Sequence, residues 1–322
     1  MTEIKKVLEM VGFENLEENW SPKKIILRDS REAILWVNKI NGHGILDPDF
    51  WITEEEYREE YREEFSANLN SKTTPKDHLL VYDELNLRQQ GQFSQHIKDN
   101  SDILEIGSSF GGVLKHTFNR EIFNSYTAVE PNTEDASFIR SLIKGDLKNK
   151  LTVKNDFFGF DSEFVKKFDL IISFEVLEHI ERPLEFIKNI YKNLKNGGKV
   201  NIEVPNHHDA LLHVFKNKGY SNFYYHKAHI HYFTPTSLND IFEKENFTGS
   251  VEGFQMYSSV NQFSWVYNNK PQKDGSTALN IYGDNDNENL DFKNLMVNFD
   301  NEWKKYVEEQ LISDCLIYKG IK

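Results

Sequence analysis

The ten residues Tyr224-Tyr-His-Lys-Ala-His-Ile-His-Tyr-Phe233 carry three histidines and four aromatic rings, and the stretch 205–233 holds six of the chain's 11 histidines. Imidazoles at this density offer three chemistries: metal ligation, proton removal at neutral pH, or aromatic packing. A metal needs ligands that converge. In extended chain His229 and His231 point one way and His226 the other, because side chains alternate. The H-x2-H-x-H spacing matches no metal motif, and no metal is assigned. A second constellation is Leu104-Glu-Ile-Gly-Ser-Ser-Phe-Gly-Gly112. Glycines in a strand-to-helix turn let a ligand approach the backbone, and the helix start offers free N–H groups. Aligned as G-x-G-x-x-G on Gly107 and Gly112, the turn puts Ser109 where a glycine should meet a pyrophosphate, which speaks against nicotinamide or flavin.

These residues need elements to position them. Residues 1–98 read as acidic and mainly helical. Thr53-Glu-Glu-Glu56 forms a capping box, after which Tyr57, Tyr61 and Phe65 share one helix face and Glu54/Arg58 pair at i,i+4. A second helical stretch covers 78–97. From residue 99 short apolar runs alternate with helical segments: 102–106, 126–130, 151–153, 168–174 and 199–204. Their continuous rather than alternating apolar character predicts a parallel sheet buried on both faces. Asn196-Gly-Gly198 reads as the stop of the helix that begins near Arg182. Thr234 opens a helix that runs to Phe247, and 250–267 and 314–321 have strand character. Between them, 268–288 is polar and rich in turns, and 291–311 looks helical.

Composition narrows the function classes. The 322 residues carry a formal charge of −13, which disfavours nucleic acid and anionic membranes as partners. One cysteine, Cys315, excludes an internal disulfide and a cysteine-rich zinc module. The first 20 residues lack a secretory h-region, and no run approaches the ~20 apolar residues of a membrane helix, so a cytoplasmic protein is expected.

In their order along the chain these pieces resemble class I S-adenosylmethionine-dependent methyltransferases. The matching segments are Leu104–Gly112, the acidic strand end Glu130, Asn155-Asp156, Phe168–Ile180 with its Val-Leu-Glu178-His179, and Lys195–Asn206. The resemblance covers about 98–266 and includes His229-Ile-His-Tyr-Phe-Thr-Pro-Thr-Ser-Leu238, found in a subgroup acting on small molecules and sugars. It implies an α/β fold: a Rossmann-like seven-stranded sheet with helices on both faces, closed by 314–321. To this are added an N-terminal helical lid or substrate region (1–98) and an insertion at 268–310 within the 99–322 domain.

The resemblance also implies roles. Gly107, Ser108 and Gly111 would cradle S-adenosylmethionine. Glu130, with Pro131, would bind its ribose, Asn155 or Asp156 with Phe157 its adenine, and Phe174, Glu175 and His179 would line the site. Glu105 either reaches the methionyl amine through water or caps the loop. His229 is the first choice of base, with His179 behind it. Substrate contacts would come from Tyr57, Tyr61, Asn206, His207, His208, Tyr224, Tyr225, His226 and His231. The acceptor expected is a sugar, methylated on oxygen. An N- or C-methyltransferase, a different Rossmann oxidoreductase and a non-catalytic cofactor-binding scaffold are the rivals. A single cysteine lowers the C-methyl option, because similar sugar C-methyltransferases carry a cysteine-bound zinc element.

Overall fold

The computed structural model describes residues 2–14, 16–53, 56, 74–120, 122–159, 164, 167–272 and 290–322. Tyr57, Tyr61, Phe65 and the Glu54/Arg58 pair lie outside the described residues, as does most of 268–288.

The main sheet has seven strands: β4 (Asp102–Ile106), β5 (Ser125–Val129), β6 (Leu151–Lys154), β7 (Phe168–Phe174), β8 (Leu194–Pro205), β10 (Thr248–Phe254) and β11 (Cys315–Ile321). Their order is β10-β11-β8-β7-β4-β5-β6, parallel from β8 through β6, with β11 antiparallel to β8 and β10 antiparallel to β11. Helices cover both faces, so the central strands lose water on both sides, and all five residues of β4 are buried. One face packs Ile187, Ile190, Ile202 and Phe242; the other packs Phe118, Tyr126, Ile139 and Ile172. Parallel pairing sends the carboxyl ends of β4, β5, β6, β7 and β8 to one edge of the sheet, where open α/β sheets bind ligands.

Helices α1 (Glu3–Val11), α2 (Pro75–Val81) and α3 (Asp83–Phe93) agree with a helical N-terminal region. Between α1 and α2, however, lies a sheet that the sequence reading lacks. Strands β1 (Trp20–Ile26), β2 (Glu32–Asn38) and β3 (Gly44–Leu46) run antiparallel, and β9 (His231–Tyr232) joins as a fourth strand. The cause is local: two apolar runs flank Arg28-Asp-Ser-Arg31, where Ser30 adopts φ 71° and Asp29 accepts from the Arg31 amide at 3.1 Å. That is a hairpin signal. The Thr53 capping box is present, with Thr53 N–H donating to Glu56 at 2.8 Å and Glu56 N–H to Thr53 Oγ1 at 3.2 Å.

Two further boundaries differ from expectation. The helix Pro183–Asn193 stops before Asn196-Gly-Gly198, which instead forms an irregularity inside β8. Its pairing with β7 jumps from Phe168↔Leu194 to Leu170↔Lys199, and Gly197 supplies the positive φ of 75° that this jump needs. Residues 259–268 form a helix rather than a continuation of β10. Ser258 caps it by accepting from the Asn261 amide, and Trp265 buries against Tyr220 and Phe223. Helices at Pro235–Lys244 and Leu290–Glu309 follow the sequence reading, and among the described residues none is long and apolar enough to cross a membrane.

Candidate active site

The glycine turn follows β4. Gly107 and Ser108 donate their N–H groups to the Val129 carbonyl at 2.9 and 3.2 Å, tying the turn to β5. Gly107 (φ 74°) and Gly111 (φ 78°) hold left-handed conformations that a side chain would strain. A Cβ at Gly107 would also lie 2.4 Å from Val176 Cγ2, so the segment after β7 presses directly on this turn. Glu130, at the end of β5, reaches back across it. One carboxylate oxygen accepts from Ser109 N–H at 2.7 Å and the other from Asn132 N–H at 2.8 Å.

The next strand end separates two candidates. Asn155 spends its amide holding the turn together, donating to the carbonyls of Glu130 (2.9 Å) and Pro131 (3.0 Å) and accepting from Thr133 at 3.2 Å. Asp156 is exposed and accepts only from the Phe157 amide, at 2.8 Å, among the hydrogen bonds described. Glu105 is buried inside β4, where it accepts from Tyr126 at 2.8 Å beside Ser108, and burial pushes its carboxyl up to about 8. Phe174 half-buries against Phe93.

Glu105, Glu130 and Asp156 therefore stand at or beside the carboxyl ends of three adjacent strands, roughly 4.8 Å apart per strand. The three form a row of carboxyl groups. Three aromatic rings that the sequence reading did not single out flank it: His78, Tyr82 and Phe110, stacked at 5.6–6.1 Å. His78 and Tyr82 are four apart on consecutive helical turns, which is the signal that could have shown them as one face.

The histidine segment sits at the neighbouring strand end. It is fastened to the loop 177–181 by three hydrogen bonds: Ile230 N–H to the Glu178 carbonyl (2.9 Å), His179 Nδ1 to the Ala228 carbonyl (2.6 Å) and His231 Nε2 to the Glu181 carbonyl (3.2 Å). The N-terminal sheet clamps its other side, with Leu46 N–H donating to the Ile230 carbonyl and Arg28 N–H to the Tyr225 carbonyl. Lys227 meets Glu56 at 3.4 Å, next to the Thr53 cap.

The pairing of the three histidines is the reverse of the extended-chain expectation. Residues 226–229 form a turn, with His229 N–H bonded to the His226 carbonyl, so the rings of His226 and His229 lie 3.7 Å apart. His231 belongs to β9 and points away, its Nδ1 3.0 Å from His43 Nε2.

Several residues expected to touch substrate hold the loop instead. Asn206 is fully buried, donating to the carbonyls of Leu311 and Ser313 and accepting from the His208 amide. His207 uses both ring nitrogens, on the Gly42 carbonyl and the Tyr225 hydroxyl, and burial pulls it down to about 3. His231 also uses both, and burial pulls it down to about 4. Tyr225 is buried between His207 and Lys23. Tyr224 and His226 are buried beside these rings, while His208 is exposed and packs on His213.

What remains at the mouth is a cluster of Glu178, His179 and His229. The Nε2 atoms of His179 and His229 lie 3.6 and 3.8 Å from Glu178 Oε1. Burial lowers His179 to about 4 and His229 well below the ordinary value, and it raises Glu178 to about 8. Glu175, φ 54°, stands beside them, its carboxyl raised by burial and by the charges of Glu178 and Glu203. Glu178 is the functional candidate missed in the sequence. A carboxylate set in the apolar run Val-Leu-Glu-His was its available signal.

Comparison with known proteins identifies the family. The family described as "Methyltransferase domain" matches residues 79–250, more than half of the chain. N-methyltransferase 4 of Papaver somniferum is 31% identical over 101 residues, a stretch that is 31% of this chain and 28% of that protein. Among solved structures, a SAM dependent methyltransferase from Archaeoglobus fulgidus is 17% identical (TM-score 0.46), over 74% of this chain and 94% of that one. Phosphoethanolamine N-methyltransferase 2 of Haemonchus contortus, solved with S-adenosyl-L-methionine, is also 17% identical (TM-score 0.46), over 79% of this chain and 58% of that one. By its match over 79–250, the chain belongs to the methyltransferase-domain family, whose methyl donor is S-adenosylmethionine.

Proposed function

We propose that the protein methylates a hydroxyl of a small polar acceptor, a sugar by preference. The observation that carries this reading is the short loop 175–179, which serves two neighbours at once. Val176 abuts the glycine turn, and Glu178 and His179 abut His229. Donor turn and proton-accepting groups are thus built on opposite sides of five residues.

The bound donor supplies a methyl group already activated as a sulfonium. What is left to the chain is alignment, exclusion of water and acceptance of the hydroxyl proton. Gly107, Gly111 and Glu130 fix the donor side, with Asp156 rather than Asn155 free for the adenine amine. His229 is the most exposed member of its cluster, at 12% of its side chain against 5% for His179. Its ring is neutral and so enters with a free lone pair, and its Nε2 stands 3.8 Å from Glu178 Oε1. The sugar preference rests on the resemblance of the segments around 205–206 and 229–238. Because Asn206, His207, Tyr225 and His231 are occupied in holding the loop, acceptor contacts pass to His229, His208, Tyr224 and His226. Amine methylation is the second reading, favoured by the 31% identity to the poppy N-methyltransferase.

Adenosylhomocysteine release over a panel of nucleotide sugars, glycans and small amines tests both. His229→Ala should lower turnover about a hundredfold with donor affinity unchanged, the scale of a lost general base. Turnover on amines alone would displace the sugar reading, and calorimetric binding of NADH but not of S-adenosylmethionine would overturn the methyltransferase reading itself.

A further inference from the structure

The Glu178 carboxylate is an anomaly. It is 1% exposed, and among the described residues no other residue donates a hydrogen bond to either of its oxygens. Burying a carboxylate without donors costs several kcal/mol unless a proton or a cation compensates it. Nearby acids are provided for: Glu203 accepts from Gln89 and Gln92, both at 2.7 Å, and Asp314 accepts from the amides of Met256 and Tyr257 and from Gln255. Glu178 and Oε1 of Glu175 are not.

What faces Glu178 is two imidazole nitrogens. The Ala228 carbonyl can only accept, so His179 carries its hydrogen on Nδ1 and presents the Nε2 lone pair to the carboxylate. A second Nε2 comes from His229. At 3.6 and 3.8 Å these contacts are too long for a shared proton. They are close to the ~3.4 Å separation of two ligands bound tetrahedrally at ~2.1 Å to one ion. One ligand atom from each of the three residues lies within 4.8 Å of the others.

We propose that Glu178, His179 and His229 bind a divalent transition-metal ion, with Glu175 adjacent as a further oxygen donor. Two imidazoles and a carboxylate suit zinc, manganese or iron, and three protein ligands leave a position open. On the methyltransferase reading above, that position takes the acceptor hydroxyl. There the ion raises the hydroxyl's acidity, and its proton leaves to water. The oxygen then forms its bond to the methyl carbon as the carbon–sulfur bond breaks and sulfur keeps the electron pair. His229 then serves as a ligand in place of a base.

The full chain, stripped with EDTA and desalted, is titrated with MnCl2 and separately with ZnCl2 by calorimetry. One equivalent should bind, and Glu178→Gln should weaken binding by at least the roughly hundredfold that even an outer-shell loss can cost. Pulsed EPR of the Mn2+-loaded wild type should show nitrogen couplings from two imidazoles, a readout that needs no variant to fold. No stoichiometric metal, unchanged affinity in Glu178→Gln, or no nitrogen coupling would each overturn the site. S-adenosylmethionine binding is measured on the same stripped sample. Its loss would count against the methyltransferase reading alone, whereas turnover that persists without metal would count against the ion's catalytic role alone.

Discussion

The two halves of the candidate site treat buried carboxylates in opposite ways. On the donor side, Glu130 already accepts two backbone N–H groups, so its charge is compensated and its position fixed before anything binds. On the acceptor side, Glu178 faces two imidazole Nε2 atoms, and among the described residues no other residue donates a hydrogen bond to it. The first arrangement is a finished scaffold. The second is complete only with an added positive charge, whether a proton on the carboxyl, a proton on a ring or an ion. A site can thus be rigid where the invariable ligand sits and electrostatically open where the reaction changes charge.

Substitutions can break this contrast. The largest effect on donor affinity should come from Glu130→Ala, which removes a charged acceptor and frees the Ser109 and Asn132 amides. A loss of about ten- to a hundredfold in S-adenosylmethionine binding by calorimetry is expected, from ~1.5–3 kcal/mol per charged hydrogen bond. Unchanged affinity would remove Glu130 from the site. Gly107→Ala should come next, costing roughly 1–3 kcal/mol in a chemical denaturation curve through its positive φ and the contact with Val176. Val176→Ala in the same chain should return the contact part but not the φ part. Full rescue would mean that backbone strain is negligible there.

A third test is a pH slope. Glu105 titrates near its ordinary 4.5 when unfolded and near about 8 when folded. Below pH 4.5 it is protonated in both states and costs nothing. Between 4.5 and 8 the folded state holds a proton that the unfolded chain has released, so stability falls as pH rises, by up to about 1.4 kcal/mol per pH unit for that one proton. Above 8 the difference is constant. Glu105→Gln should therefore flatten the fall in melting temperature between pH 5 and 8. Asp209 and Glu178, also raised to about 8 by burial, and Glu203, raised to about 7, keep a residual slope in the variant. An identical slope in both proteins would show that Glu105 is ionised when folded.

The sheet was legible because its strands are buried on both faces: Asp102–Ile106 and Phe168–Phe174 are apolar runs of strand length bounded by polar turns. The position of the glycine turn and of Glu130 was legible for the same reason, since strand ends fix where such residues sit. The Asn196-Gly-Gly198 stop misled because a glycine with positive φ serves a bulge as well as a helix end. The N-terminal sheet was hidden by charge: Lys23, Lys24 and Glu32 are exposed and masked the hairpin around Ser30. The acceptor cluster was the least legible part. Its members are 50 residues apart in sequence, and the turn at 226–229 cancels the alternation from which the histidine directions were read.

Strand β9 has a consequence for how the chain is made. Strands β1–β3 finish by residue 46, but the strand that completes their sheet is 231–232. At ~5–20 residues per second, a ribosome needs roughly 10–40 s to deliver it. Throughout that interval β3 carries an unpaired edge, the kind of surface that recruits a strand from another nascent chain. Synthesis therefore sets a clock on the acceptor side: until residue 232 emerges, neither the N-terminal sheet nor the loop it clamps can close.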